Sequence, residues 1–287
     1  GIPEVVLCAY RQWGEDFIVH LEGPVIAGVI DQDAETAVVR RDAMGELPMF
    51  YCARADTLAF CDRAAELLQV PGICAAVDAD GLREIFALGP ARTPERTPFR
   101  DIRSLPPGCA LVCDGRGARL RRHFALRARE HEDDEAATIR NVRSMVEQAV
   151  RDIAPLSPVA MLSGGLDSTV LTYLLGRQRE EGVVSFSVDY EENALHFSGN
   201  SYQPEQDAPY AERASEAFGT LHTRVVLPVE GLAHGLTEAM LARQMPGMAD
   251  VDSSLLLFLR EIARTNRTVL SGECGDEVFG GYPWFHR

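Results

Sequence analysis

The sequence predicts two parts of different fold class: an α+β part built on antiparallel sheets over residues 1–130, and an α/β part built on a parallel sheet over residues 131–287. In the first part, short runs rich in β-branched and aromatic residues are bounded by Gly, Asp or Pro, which is typical of strands joined by turns. In the second part, apolar runs of strand length alternate with segments of helical period, which predicts a parallel sheet covered on both faces. A chain of 287 residues is long enough for two domains of about 150 residues each.

The first part contains a series of predicted strands and one long irregular connection. The strands are residues 17–21, 25–30, 36–40, 49–52, 58–60 and 110–113. The repeated prolines between residues 90 and 107 predict a connection that follows the surface. The strongly charged stretch 116–132 predicts a domain boundary, which we place near its end.

The second part begins with a helix and then alternates. Asp133 or Asp134 can cap a helix whose apolar residues are spaced by three and four up to residue 153. The following pattern predicts strands at 159–162, 183–188, 224–227 and 268–270, and helices at 169–177, 208–218 and 254–263.

Composition excludes several classes of function. All 28 basic residues are arginine, against 43 acidic residues, and the second part carries most of the net charge of −15, which disfavours nucleic acid as a partner. The absence of lysine excludes a Walker-type P-loop and Schiff-base chemistry. No apolar run approaches the ~18 residues of a membrane span, and the first residues do not resemble a signal peptide, which predicts a cytoplasmic protein. The seven cysteines form no CxxC pair and are predicted to be reduced and mostly buried.

A loop rich in glycine and serine follows the first strand of the second part. It runs from Ser163 through Gly164, Gly165 and Asp167 to Ser168, and a helix follows directly. The glycines allow a tight turn that presents backbone N–H groups, and the helix N-terminus attracts an anion. Since a carboxylate weakens the binding of bare phosphate, Asp167 predicts a Mg²⁺ ion that bridges the phosphates. The loop therefore predicts a pyrophosphate site, and an ordinary strand-to-helix turn is the alternative.

A second loop, residues 271–282, also follows a predicted strand and contains Gly272, Glu273 and Asp276. Because ligands of open α/β sheets bind at the carboxyl ends of the strands, we expect the two loops to face one another. Asp276 then supplies a second carboxylate for Mg²⁺, and Glu273 points into the substrate cavity. A solvated acidic turn is the alternative.

Taken together, the two loops resemble a known family. The first is similar to the SGGxDS loop of the N-type ATP pyrophosphatases, and the second is similar to the SGEGADELFGGY signature of asparagine synthetases. Residues 41–51 are similar to the RDPxGxKPLYY stretch in the N-terminal glutaminase domain of that family. The resemblance implies a partial glutaminase domain of the N-terminal-nucleophile type, followed by an ATP pyrophosphatase domain.

The resemblance also implies a reaction and a role for individual residues. Members of the family activate a substrate carboxylate with ATP, which gives an acyl-adenylate and pyrophosphate, and an amine then displaces AMP. By resemblance, the pyrophosphate binds to Ser163, Gly164, Gly165 and Ser168, Mg²⁺ binds to Asp167 and Asp276, the nucleotide contacts Leu162, Val188 and Gly272, and Glu273 engages the acyl substrate or the amine. The expected cofactors are ATP and Mg²⁺, and the expected substrates are aspartate or a related carboxylate with ammonia or an amine.

The chain departs from the family pattern at both ends. Residue 1 is Gly where the family's glutaminase has a nucleophilic cysteine, and the chain stops where the family continues with helices and a lysine. We therefore expect a glutaminase-like domain without its nucleophile over 1–130, a C-terminally incomplete ATP pyrophosphatase domain over 131–287, and no glutamine hydrolysis. Unpaired strand edges would favour association with a second copy or a complementary chain.

Three alternatives to asparagine synthesis stay open at this point. One is an intramolecular amide-forming relative of the β-lactam synthetase or peptide macrocyclase type. Another is tRNA modification through the same SGGxDS loop, which the negative charge opposes. The third is a non-catalytic nucleotide-binding remnant. ATP-dependent asparagine formation from aspartate is the preferred hypothesis.

Overall fold

The computed structural model describes residues 1–54, 57–200, 204–282 and 285. The chain forms two compact units: Gly1–Glu130 with Met240–Met248, and His131–Ala239 with Ala249–Arg287. No helix among the described residues is long and apolar enough to cross a membrane. The identity of the two domains stays a prediction at this level.

The first unit contains two antiparallel sheets. The larger has the strand order β1-β2-β6-β7 and the smaller has the order β4-β3-β5. Its elements are α1 (Ile2–Trp13), a 3₁₀ helix (Gly14–Val19), β1 (Ala27–Asp31), β2 (Thr36–Arg40), β3 (Phe50–Ala53), β4 (Leu58–Cys61), α2 (Ala64–Leu67), α3 (Ala79–Leu88), β5 (Arg103–Ser104), β6 (Cys109–Asp114) and β7 (Gly117–Arg122).

The central strands of the larger sheet, β2 and β6, are buried on both faces. Successive side chains of a strand point to opposite faces, so Val38 packs in a core with residues of α1, whereas Val39 packs in a core with Tyr51 of the smaller sheet. On its other side the smaller sheet packs through Phe50 against Leu67 of α2. The unit is therefore layered as helix, sheet, sheet and helix.

A buried arginine fixes the segment between the 3₁₀ helix and β1. Arg40 lies at the end of β2 with only 2% of its surface exposed. Its guanidinium donates hydrogen bonds to the carbonyl oxygens of Ile18 at 2.9 Å, Leu21 at 2.7 Å and Val25 at 2.8 Å. Because these carbonyls lie in the last turn of the 3₁₀ helix and in the irregular backbone after it, the arginine provides donors that no strand supplies.

The adjacent motif at residues 41–47 is held in the same way. Asp42 accepts backbone N–H groups of Gly45, Glu46 and Leu47. Burial acts to raise the pKa of Asp42, but these N–H groups and Arg41 outweigh it and hold that pKa below its ordinary value. The segment that resembles the family's glutaminase motif therefore forms a tight, internally bonded turn.

The second unit contains a parallel sheet with the order β10-β9-β8-β11. The helices α4 and α5 cover one face through Val150 and Leu175, and α9 covers the other through Phe258 and Ile262. The elements are α4 (Glu135–Ile153), a 3₁₀ helix (Ala154–Leu156), β8 (Val159–Met161), α5 (Leu166–Gly176), β9 (Val184–Tyr190), α6 (Asn193–His196), α7 (Ala208–Phe218), β10 (Leu221–Leu227), α8 (Val229–Arg243), α9 (Ala249–Ala263), β11 (Val269–Leu270) and α10 (Gly275–Phe279). Antiparallel sheets followed by a helix-covered parallel sheet agree with the predicted fold class at this coarse level.

Three details of the sequence-based prediction are wrong. Residues 17–21 do not form a strand, because Phe17 and Ile18 lie in the 3₁₀ helix and are fully buried beside α1. The helices α1, α2, α3, α6, α8 and α10 and the strands β5 and β7 were also not predicted from the sequence. The cysteines are not mostly buried: Cys52 and Cys109 are buried, two others are half-buried, and Cys8, Cys74 and Cys274 are exposed.

Candidate active site

A cavity of about 440 Å³ opens at the carboxyl edge of the parallel sheet. The strands β8 and β11 are neighbours, with Val159 opposite Val269 and Ala160 opposite Leu270. Both end at the same edge, so the loops that follow them line the cavity together, with Ser187 and Val188 of β9 beside them. This volume lies within the ~300–1,000 Å³ of small-molecule sites.

The loop after β8 is organised by its own serines. The backbone N–H of Ser163 donates to Ser168 Oγ at 3.2 Å, and the two hydroxyl oxygens lie 3.0 Å apart. Ser168 Oγ donates to the carbonyl of Gly165 at 3.1 Å, and the N–H of Gly165 donates to Ser163 Oγ at 3.3 Å. These bonds hold the loop closed at the start of α5, where the positive end of the helix dipole meets the cavity.

Gly164 has a different place from the rest of this loop. Its φ is +85°, and a Cβ built on it would lie 2.4 Å from Tyr210 Cβ and 2.5 Å from the backbone nitrogen of Ala211. Gly164 is also absent from the described lining of the cavity. The residue therefore allows the loop to pack directly on the first turn of α7.

The acidic loop after β11 lies against the first loop. A Cβ built on Gly272 would lie 3.0 Å from Asp167 Cβ and 3.0 Å from the backbone nitrogen of Ser168. A Cβ on Gly275 would lie 2.6 Å from Asp167 Cγ, so Asp167 sits beside the residue that precedes Asp276. The expectation that the two loops face one another is therefore met by the geometry.

The cavity is strongly acidic. Its described lining includes five carboxylates and no arginine or histidine; the carboxylates belong to Asp167, Asp207, Glu273, Asp276 and Glu277. No group of three or more metal-ligating side chains converges among the described residues. The donor set suits a Mg²⁺ ion held by one or two carboxylates, with phosphates and water as its other ligands, because Mg²⁺ is commonly bound in that way.

The structure brings nearly all the sequence-predicted site residues to this one cavity. The described lining contains Leu162, Ser163, Gly165, Asp167, Ser168, Val188, Gly272, Glu273 and Asp276, with Gly164 as the exception. Sequence reasoning missed Ser187, Asp207 and Ala211. The alternation of serine with larger residues along β9 is a signal for Ser187, whereas the approach of α7 has no local signal in the sequence.

The strand, the serine- and glycine-rich loop at a helix N-terminus and the opposed acidic loop together define an α/β domain with a small-molecule cavity at the carboxyl edge of its parallel sheet. Family comparisons extend this assignment. Residues 141–287 match the asparagine synthase family, and residues 3–124 match the glutamine amidotransferase domain family. The chain belongs to the asparagine synthase family.

Curated relatives carry asparagine synthetase names. The chain is 42% identical to asparagine synthetase [glutamine-hydrolyzing] 3 of Bacillus subtilis over 99% of its length, which is 47% of that protein. It is 25% identical to a putative asparagine synthetase [glutamine-hydrolyzing] of Mycobacterium tuberculosis over 98% of the chain and 43% of that protein. It is 22% identical to asparagine synthetase B [glutamine-hydrolyzing] of Escherichia coli over 99% of the chain and 48% of that protein. The chain thus spans about half the length of these relatives.

Proposed function

We propose that the second unit binds Mg²⁺-ATP and catalyses ATP-dependent amide formation, with asparagine formed from aspartate as the product. The observation that carries the proposal is the pairing of a helix N-terminal loop with an opposed acidic loop in one cavity. The asparagine synthetase names of the curated relatives support the choice of aspartate as substrate over an intramolecular amide-forming reaction.

The phosphates are assigned to the first loop. The backbone N–H groups of the first turn of α5 provide donors and a positive dipole end without any lysine. Asp167 and Asp276 are the proposed Mg²⁺ ligands, and the metal would supply positive charge against the phosphate oxygens in a cavity whose own charge is negative. A nucleotide without its cation would be repelled by the same carboxylates.

The proposed reaction has two steps. The aspartate carboxylate oxygen attacks the α-phosphorus of ATP, a new oxygen–phosphorus bond forms, and the bond to the pyrophosphate breaks. Ammonia then attacks the acyl carbon, the bond to AMP breaks and the attacking nitrogen loses one proton, which gives the amide, AMP and a proton that a base such as the proposed Glu273 can accept. The first loop stabilises the negative charge that accumulates on the departing pyrophosphate, and the rigid cavity holds the carboxylate in line with the bond that breaks.

Glu273 is assigned to the acyl substrate or the incoming amine. It is exposed toward the cavity, and its backbone N–H donates to Ser271 Oγ at 3.2 Å, which fixes the loop that carries it. An anionic side chain in this place can bind the ammonium group of aspartate or accept a proton from ammonia. Leu162, Val188 and Gly272 are assigned to the nucleoside.

Calorimetric titration with Mg²⁺-ATP tests the proposed site. We expect Asp167→Ala to abolish Mg²⁺-dependent ATP binding, because it removes a metal ligand from the loop. The matched control is Asp152→Ala on the exposed surface of α4, which leaves binding unchanged. Undiminished affinity in Asp167→Ala removes that residue from the site.

Aspartate-dependent exchange of pyrophosphate into ATP tests the chemistry. Glu273→Gln is expected to keep ATP affinity and to lose exchange by about 10²-fold or more, in the range for a positioned catalytic group. Glu230→Gln is the control, since Glu230 is exposed on α8. ATP binding without any aspartate dependence would contradict the proposed substrate.

A further inference from the structure

A chain of hydrogen-bonded side chains runs from the cavity into the polar face of the sheet. Ser187 Oγ lies 2.9 Å from His222 Nε2, and His222 Nδ1 lies 2.8 Å from Ser185 Oγ. Ser185 Oγ lies 2.7 Å from Thr220 Oγ1, which lies 2.8 Å from Ser215 Oγ. Ser187 lines the cavity, and the other members lie behind it.

This chain is built by strand register and helix packing. In the parallel pair β9 and β10, His222 lies opposite Ser185. Ser185 and Ser187 are two residues apart and so point to the same face, where the imidazole ring bridges both. All three serines are buried, with 0% exposure for Ser185, 5% for Ser187 and 7% for Ser215. Buried hydroxyls of this kind require fixed partners.

The hydrogen bonds of Thr220 and Ser215, at the end of this series of side chains, determine the donor in each of the other bonds. The geometry of the 2.8 Å contact between Thr220 Oγ1 and Ser215 Oγ makes Thr220 the donor, so Thr220 gives its single hydroxyl proton to Ser215. The longer contact from Ser215 Oγ to the carbonyl oxygen of Thr220, at 3.4 Å, agrees with this direction, because a carbonyl can only accept. Since the hydroxyl proton of Thr220 is used, the bond between Ser185 and Thr220 must carry the proton of Ser185.

The tautomer of the His222 imidazole follows from the same assignment of hydroxyl protons. Ser185 has given its proton to Thr220, so its oxygen accepts from His222, and Nδ1 must carry the ring proton. Burial lowers the pKa of His222, Arg224 adds to the shift and Glu212 opposes it, so the ring is neutral near pH 7.5. A neutral ring protonated at Nδ1 accepts at Nε2. The proton of Ser187 therefore points at His222, and its lone pairs are left for the cavity.

We propose that His222 is a positioning residue that holds Ser187 as a hydrogen-bond acceptor for an N–H or O–H donor on the nucleoside part of the bound nucleotide. The proposal rests on the proposed ATP site. Phosphate oxygens accept hydrogen bonds and cannot satisfy Ser187, whereas the adenine 6-amino group and the ribose hydroxyls can. Ser187 thus adds a nucleoside contact that is distinct from the pyrophosphate loop.

The tautomer can be measured without any ligand. Long-range proton–nitrogen NMR at pH 7.5 distinguishes an imidazole protonated at Nδ1 from one protonated at Nε2, and the variant His222→Gln identifies which signals belong to His222. The Nδ1–H form is expected. The Nε2–H form would overturn the proposal whether or not ATP binds.

Calorimetry with nucleotide analogues tests the contact itself. Ser187→Ala is expected to weaken Mg²⁺-ATP by about 2- to 12-fold, the range for one neutral hydrogen bond, and to leave Mg²⁺-pyrophosphate unchanged. Purine riboside triphosphate lacks the 6-amino group, and 2′-deoxy-ATP and 3′-deoxy-ATP each lack one ribose hydroxyl. The analogue that lacks the bound donor should have equal affinity for the parent protein and for Ser187→Ala. An equal loss for pyrophosphate would instead make Ser187 a phosphate donor and overturn the proposal.

Variants of His222 separate positioning from packing. His222→Phe is expected to weaken ATP as much as Ser187→Ala does, and the double variant no further, because both remove the same interaction. His222→Gln can present its N–H to Ser185 and its oxygen to Ser187, so it should recover part of the affinity even if His222→Phe folds poorly. Thr223→Ala, on the next residue of β10, is the control. Additive losses in the double variant would overturn the proposal. Failure of the parent protein to bind ATP would overturn the proposed function, and the tautomer measurement would then decide whether His222 orients Ser187.

Discussion

Two adjacent glycines of the loop after β8 are expected to differ strongly in their response to the same substitution. The residue change is Gly164→Ala, and the matched control is Gly165→Ala. Gly164 has a φ of +85° and no room for a Cβ, whereas a Cβ on Gly165 would have only Ser163 Oγ near it, at 3.4 Å. Gly165 has a φ of −68°, which any residue adopts.

The cost of Gly164→Ala has two parts. A left-handed backbone costs an alanine about 1–2 kcal/mol. The new Cβ would lie 2.4 Å from Tyr210 Cβ, so the loop and α7 must separate by about 1 Å to reach ordinary carbon–carbon distances. Overpacking of this kind costs about 1–3 kcal/mol. The sum is about 2–5 kcal/mol, which predicts a fall of roughly 4–20 °C in the melting temperature of the second unit.

Scanning calorimetry of the ligand-free protein measures this effect. Gly164→Ala should lower one transition and leave the transition of the first unit in place. Gly165→Ala should cost only about 1 kcal/mol or less, because a Cβ at this N-cap has free space and only the weaker capping of alanine acts against it. Equal stability of the two variants would refute the reasoning from steric space. A large loss in Gly165→Ala alone would reverse the assignment of the two residues.

Two further predictions concern the first unit. Arg40→Met should destabilise it by about 3–5 kcal/mol in chemical denaturation, since one buried and two part-buried carbonyl oxygens lose their donors. Arg40→Lys should recover only part of this stability, because an ammonium does not reproduce the planar guanidinium. Full recovery by lysine would contradict the role of the guanidinium geometry. His123 Nε2–H donates to the backbone carbonyl oxygen of Arg41 at 2.9 Å, and burial lowers the pKa of His123. The unfolded state therefore binds the proton more readily, so the stability that neutral His123 contributes should be fully present above about pH 6.5 and decrease as the pH falls below that value. His123→Gln should flatten this part of the stability–pH profile. An unchanged profile in this variant would contradict the assignment to His123.

Elements with a regular period were predictable from the sequence. The spacing of apolar residues and a cap at Asp133 or Asp134 predicted α4, and the N-cap is Asp134, which accepts the N–H of Ala137 at 2.7 Å. Residues 208–218 were predicted as a helix with the bounds that α7 has. The order of strands and helices was sufficient to predict the parallel sheet, because short connections leave few other arrangements.

The missed elements have physical reasons. Helix α8 contains two glycines, which disfavour a helix locally, but a Cβ on Gly235 would lie 2.5 Å from Ser253 Oγ. The close approach of α9 therefore requires glycine there, and tertiary packing outweighs propensity. Strand β7 is rich in arginine, and it pairs along its length with β6 while Arg119 and Arg121 meet acidic partners. Its charges lie on an exposed edge strand, where the usual alternation is weak.

The candidate site was predictable in position but not in detail. Parallel strands all end at one edge, so two loops that follow such strands can be brought together from the sequence alone. Gly164 shows the limit of this reasoning, since it belongs to the predicted phosphate loop but contacts α7. The roles of the lining residues stay predictions, because position at a cavity does not show which atom a ligand meets.

The polar face of β9 gives a reason for the unusual use of serine in a buried strand. Phe186 and Val188 pack in the apolar core with α9, whereas Ser185 and Ser187 on the opposite face forgo apolar burial. An unpaired buried hydroxyl is costly, so the serines are tolerated only because His222, Thr220 and α7 satisfy them. With Ser187 oriented by His222 as proposed, the cavity has a donor end, formed by the loop after β8, and an acceptor at Ser187. A nucleotide has the complementary order, with acceptors on its phosphates and donors on its nucleoside, which would give the cavity a preferred direction of binding before any substrate carboxylate arrives.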